Sequence, residues 1–149
     1  MVENMQNLLL DSVRTSIGNI IPRPLSQAKV CTDNEPLIKD EIGVAIQFTN
    51  SDYCMVLDGQ RVVFSRISEA VFGMYMEGEM LDSCVSEIAN IIAGGTTTIL
   101  GEQGISLDIT TPSLLEDNFD WKDQGNKLTL PISIDAVGEI RVVLMEGNS

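Results

Sequence analysis

Between Ser86 and Gly95 the chain reads SEIANIIAGG, and two of these residues, Glu87 and Asn90, could do chemistry. At helical spacing they stand one turn apart on one side, about 60° from each other around the axis. A carboxylate there can hold an ammonium group, and an amide can orient a water. Neither is a nucleophile by itself. On the same side of the wheel lie Ser83, Ser86, Ala93 and Gly94, where Lys or Glu would suit a solvated helix better. Two readings fit these residue types. One is an ordinary solvated face; the other is a docking surface, shaved so that a second backbone can approach while Glu87 and Asn90 project as pegs. The small surround argues for the second, and it identifies no partner.

The rest of the composition narrows what such a pair could be used for. The 149 residues contain no histidine, which removes Ser-His-Asp and Cys-His nucleophiles, histidine general bases and histidine-based zinc sites together. No Walker loop, GxGxxG or EF-hand pattern occurs in the sequence either. The three cysteines, Cys31, Cys54 and Cys84, form no CxxC pair and read as buried reduced thiols. A formal charge of −13 repels phosphate backbones and anionic headgroups, arguing against nucleic-acid and membrane partners. No apolar run approaches the ~20 residues of a membrane span, and the N-terminal stretch lacks the pattern of a signal peptide. A cytoplasmic protein is expected. An enzyme built from this chain must work with carboxylates, amides and hydroxyls, or borrow groups from a partner.

The elements that must position the pair follow from periodicity. With 44% hydrophobic and 21% charged residues, the chain has the composition and length of one globular domain, 1–149. Residues 3–21 read as an amphipathic helix ended by Pro22 and Pro24. Residues 28–33, 41–49 and 53–58 read as strands. The stretch DGQRVVFSRISEAVFG reads as a helix that Asp58 caps and Gly73 ends. Residues 76–95 form the motif helix, expected to stop at the double glycine. Its core stripe of Leu81, Cys84, Val85, Ile88, Ile91 and Ile92 falls within an arc of about 120°. Three strands are expected after it, at 105–111, 127–134 and 139–145, the last two joined by a tight DAVG hairpin. Pro131 suggests an edge or bulge. Residues 113–126 read as an acidic loop with Trp121 as a local packing anchor. The order predicts an α+β fold: one mainly antiparallel sheet with helices packed on it.

At the Glu-x-x-Asn residues the sequence resembles the chemotaxis phosphatases of the CheC/CheX type, CheX members in particular. The signature of that family, Glu-x-x-Asn followed by an apolar pair and a glycine turn, is matched by Glu87-Ile-Ala-Asn90-Ile-Ile-Ala-Gly94. The likeness continues into TTTILGEQGISLDITTPSLL and back through IGVAIQFT and YCMVLDGQRVVFSRISEAVFG, covering about 5–145. It implies a pseudo-symmetric CheC/CheX-like fold and a phosphatase acting on the aspartyl phosphate of a CheY-like response-regulator receiver domain. By the same resemblance, Asn90 orients the attacking water and Glu87 pairs with the receiver's lysine. The receiver supplies Mg²⁺, this chain has no cofactor of its own, and the protein is a homodimer. Gly95 departs from the polar residue common there in the family. TSIGNIIP near the N-terminus echoes SEIANIIA, with Ser16 and Asn19 at the Glu and Asn positions, as a degenerate second copy or by chance. The alternative is a non-catalytic module of this fold that binds a receiver or a flagellar switch component.

Overall fold

The computed structural model describes residues 2–27, 31–32, 40–115 and 127–146. Helix α1 (Val2–Ile20) opens the chain and is followed by the short strands β1 (Leu25–Gln27) and β2 (Cys31–Thr32). Strands β3 (Ile42–Thr49) and β4 (Tyr53–Gly59) form a hairpin, and helices α2 (Arg61–Phe72) and α3 (Gly78–Glu102) come next. The chain then adds β5 (Asp108–Ile109), β6 (Ser113–Leu114), β7 (Lys127–Ile134) and β8 (Gly138–Glu146). The expected acidic loop with Trp121 lies, from 116 to 126, outside the described residues. So does most of the first expected strand, at 28–33.

Every described strand pairing is antiparallel, in the order β1-β7-β8-β4-β3-β5, with β2 also on β7 and β6 also on β3. Successive side chains of a strand point to opposite faces. Thus Val44, Ile46 and Phe48 of β3, Met55 and Leu57 of β4, and Val142 and Leu144 of β8 share one buried face. Leu9, Val13 and Ile17 of α1 and Val85, Ile88 and Ile92 of α3 complete that core. The alternate residues Val56, Val143 and Met145 form a separate small cluster on the other face. Pro131 sits on β7 between the stretches paired with β1 and with β2. The DAVG turn closes as expected, with Ala136 at φ 63° and Gly138 at φ 136°.

Helix α2 ends as its sequence suggests, on Gly73 at φ 81°, whose N–H reaches the Glu69 carbonyl. Its start does not. Gln60, not Asp58, is the N-cap, and no cap side chain bonds the first turn. Asp58 lies within β4, fully buried, and accepts the Nε–H of Arg141 at 2.8 Å. An acid before a helix is normally a cap, but here a cross-strand guanidinium 83 residues away takes it. The Glu41 carboxylate instead accepts the Arg61 N–H at 2.9 Å.

The motif helix also departs from expectation. Gly94 and Gly95 do not end it; α3 continues to Glu102 and leaves through Gly104 at φ 84°. A glycine stops a helix when it turns left-handed, and neither Gly94 nor Gly95 has positive φ. Two interior glycines cost about 1 kcal/mol each relative to alanine. For Gly95 the reason lies in packing: a Cβ there would stand 2.4 Å from Ser16 Oγ. The Ser16 hydroxyl in turn donates to the Ile92 carbonyl at 2.7 Å. The double glycine is thus partly a helix–helix contact between α1 and α3.

Candidate functional site

Helix α3 meets α1, α2 and β3, so its buried arc widens from the expected 120° to about 180°. The buried set is Leu81, Cys84, Val85, Ile88, Ala89, Ile92, Ala93, Thr96 and Leu100. Two placements change accordingly. Ala93, expected beside Glu87 and Asn90, is 0% exposed and belongs to the core. Ile91, expected in the core stripe, is only half-buried. What remains outward is the set Ser83, Ser86, Glu87, Asn90 and Gly94, with Ser83 and Glu87 exposed and the others half-buried.

Four of these, Ser83, Ser86, Glu87 and Asn90, form one wall of an open groove of about 460 Å³. Ile109, Thr110, Thr111 and Pro112 form the other. Sequence reasoning missed this second wall as part of a site, although the strand ending in Pro112 was visible. The wall is held firmly. The Gln47 N–H donates to Thr110 Oγ1 and the Thr110 N–H donates to the Gln47 carbonyl, each at 3.0 Å. Gln47 spends its side-chain amide on the carbonyls of Phe48, Ser51 and Tyr53, which braces the β3–β4 turn behind it.

Among the described residues that line the groove, Glu87 is the one that ionises. Neither it nor Asn90 makes a hydrogen bond or ion pair among the described residues. Both side chains reach solvent and are open to an outside group. Burial pushes the Cys84 thiol above its ordinary value, and the charge of Glu87 adds to the rise. Cys54 is likewise pushed up by burial, to about 11, so both thiols are protonated and unreactive at neutral pH. The side chain of Cys31 lies outside the described set.

In the segment after the motif the hydroxyls turn back on the helix's own carbonyls. Thr96 donates to the Ile92 carbonyl at 2.8 Å, and Thr97 and Thr98 donate to that of Gly94 at 2.8 and 3.1 Å. Gly94 itself is unexplained by packing, since a Cβ there would meet nothing within 4 Å. The N-terminal echo does not form a second site. Ser16 is buried under α3 with its hydroxyl engaged, while Asn19 is exposed.

Among the described residues no group of three or more His, Cys, Asp or Glu could hold a metal ion. No described helix is long and apolar enough to cross a membrane. What the groove offers is one carboxylate acceptor and one amide in fixed relation, flanked by hydroxyls. It can bind a cation and position a water, and among the described residues none of its hydroxyls is hydrogen-bonded to a base that would activate it as a nucleophile.

Comparison with known proteins agrees with this architecture. Residues 80–116, which include the motif and the second wall, match the model of the CheC-like family. No curated protein matches the chain in sequence. A chemotactic CheC-like protein from Shewanella oneidensis superposes with a TM-score of 0.77 at 20% identity, over 97% of this chain and 99% of that one. CheX from Vibrio vulnificus gives 0.73 at 20% identity, over 93% and 96%. CheX in a CheX–CheY complex with BeF₃ and Mg²⁺ from Borrelia burgdorferi gives 0.67 at 18% identity, over 93% and 95%. The chain has the CheC/CheX-like fold, and its motif helix carries the sequence pattern of the CheC-like family.

Proposed function

We propose that the protein is a phosphatase for the aspartyl phosphate of a CheY-like receiver domain, acting as a single domain. The observation that carries the reading is a carboxylate and an amide, one turn apart in an open groove, both without hydrogen-bonding or ion-pair partners among the described residues. In-line hydrolysis of an acyl phosphate needs positioning and charge neutralisation more than a protein nucleophile. A water oxygen attacks phosphorus, the bond to the receiver's carboxylate breaks, and inorganic phosphate leaves as H₂PO₄⁻ carrying both of the water's protons. Asn90 orients that water, and Glu87 pairs with the receiver's active-site lysine. The receiver brings the Mg²⁺. The complex from Borrelia burgdorferi, in which BeF₃ stands for the phosphoryl group, supports this choice of partner and metal source. In the same reading the protein is cytoplasmic and a homodimer, for which light scattering should give the mass of two chains.

The test is the lifetime of the phosphoryl group on candidate receivers, with this protein present in catalytic amounts. Shortened lifetimes support the reading. Tight binding with unchanged lifetime would leave a docking module.

Two substitutions probe the face. Glu87→Ala should raise the KM for phosphorylated receiver about tenfold or more, about 1.4 kcal/mol per decade, because the receiver's lysine loses its counter-charge. With no hydrogen-bonding or ion-pair partner among the described residues to lose, its melting temperature should not change, and steady-state kinetics beside thermal melts check both. Gly94→Ala should act in opposite directions. It should raise Tm by about 2–4 °C, since about 1 kcal/mol of helix propensity is gained in open space. It should also slow dephosphorylation, because the new methyl stands where the receiver's backbone approaches.

A further inference from the structure

Four of the six large hydrophobic side chains exposed among the described residues fall within nine positions: Phe72, Met74, Tyr75 and Met80. They occupy the end of α2, the connector, and the start of α3. The connector is not slack. The Ser65 hydroxyl donates to the Met76 carbonyl at 2.6 Å, the Ser68 hydroxyl to that of Met74 at 2.9 Å, and the Met76 N–H returns to Ser68 at 3.1 Å. Both serines are buried. Two core hydroxyls thus hold the connector from which Met74 and Tyr75 project into water, and Met80 at the start of α3 is 60% exposed. An ordered cluster of this kind marks an interaction surface more often than a chance of composition.

Its position identifies what it meets. Phe72, Met76 and Met80 line a groove of about 530 Å³ together with Ser83, Cys84 and Glu87. Ser83 and Glu87 also line the groove that holds Asn90, so the two are continuous along one side of α3. Met80 and Asn90 are ten residues apart, roughly 15 Å along the axis. A standard interface of about 800 Å² per partner is about 30 Å across. Anything that docks on Glu87 and Asn90 with such a footprint therefore covers the apolar groove. Exposed acids neighbour it in sequence, Glu69, Glu77 and Glu79, whereas the exposed Arg66 of α2 donates to the Val137 carbonyl at 3.1 Å. The nearby Arg61 is already paired with Asp82 at 2.9 Å.

We propose that this groove is a second docking element for the phosphorylated receiver, setting affinity and choice of receiver while Glu87 and Asn90 perform the chemistry; this rests on the function proposed above. The receiver's matching surface beside its phosphorylation site is apolar at its centre and carries Lys or Arg at its rim. Thioether side chains, flexible and polarisable, suit such a contact, and the acids around them keep out partners with the wrong charge.

The experiment is a binding titration of a Mg²⁺- and beryllofluoride-loaded receiver, run beside phosphoryl decay, with wild type, Met80→Ser, Met80→Glu and Met80→Leu. Met80→Ser should weaken binding and raise KM about tenfold with kcat unchanged, Met80→Glu should do so further, and Met80→Leu should restore wild-type values. The melting temperature should stay within about 2 °C of wild type, since Met80 is exposed and such substitutions cost little. Equal affinity for wild type and Met80→Glu would overturn the docking role, whatever the decay shows. Decay left unaccelerated by wild type, with binding still lost in Met80→Ser, would sink the phosphatase and keep the docking surface. A wild type that binds no receiver removes both.

Discussion

Asn90→Ala is expected to slow receiver dephosphorylation by about 100-fold to 1000-fold at saturation, with receiver affinity and Tm nearly unchanged. The size follows from what the residue does. In the proposed reaction the chain contributes no nucleophile and no metal, so its catalysis rests on holding water in line with the breaking P–O bond. Removing one preorganised hydrogen-bonding group from such a site costs about 2.7–4 kcal/mol of barrier. The loss belongs to kcat because the water is fixed more strongly in the transition state than in the bound ground state. Stability should hold, since the Asn90 side chain has no hydrogen-bonding partner among the described residues. Asn90→Asp is the sharper control. It keeps the shape but sets a negative charge against a phosphoryl group, so it should also be slow, and slower at higher pH if the carboxylate is the cause. Single-turnover decay of phosphorylated receiver, read by loss of label, measures both. Decay with Asn90→Ala within threefold of wild type would remove the assignment.

The pair itself was legible because its signal is local. Glu87, Asn90, Ser83 and Ser86 lie within two turns, and helical periodicity alone puts them on one side. The strands from β3 through β4, and β7 with β8, were legible for the same reason: alternation and turn residues are short-range patterns. What failed were features decided by contacts far away in sequence. Ala93 is buried because α3 has neighbours on more of its circumference than a helix resting on one sheet. Gly94 and Gly95 read as a terminator, since no local rule reveals that Ser16 lies against Gly95. The second wall of the groove depends on Thr110 pairing with Gln47, 63 residues away. The exposed apolar groove from Phe72 to Met80 looked like ordinary helix ends, because burial and exposure of methionine cannot be told apart by spacing.

Asp58 is the clearest long-range case, and it leads to the largest expected effect on stability. Arg141→Met should destabilise the fold by about 3–5 kcal/mol, a large share of the roughly 5–15 kcal/mol available to a domain. The two residues are direct cross-strand neighbours in the β4–β8 register. Asp58 is 0% exposed and accepts from Arg141 through both carboxylate oxygens, while the Asp40 N–H adds a bond of 3.1 Å. The same contact raises the Arg141 pKa above its ordinary value, against the opposing effect of burial. Methionine keeps much of the volume but leaves a buried carboxylate without its counter-charge, beside Val56 and Val143 on the same face. At about 2–4 °C per kcal/mol for a chain of this size, Tm should fall by on the order of 10 °C. Removing both charges, with Asp58→Leu and Arg141→Met together, should recover most of the loss, because a buried pair gains little over apolar neighbours once both members are gone. Denaturant unfolding of the two single variants and the double variant gives the coupling directly. The pair lies on the sheet face away from α3, so activity per folded molecule at 20 °C should equal wild type. Additive losses in the double variant would mean that the pair is not what holds β4 against β8. A loss of kcat in folded Arg141→Met would mean that the far face of the sheet does reach the groove.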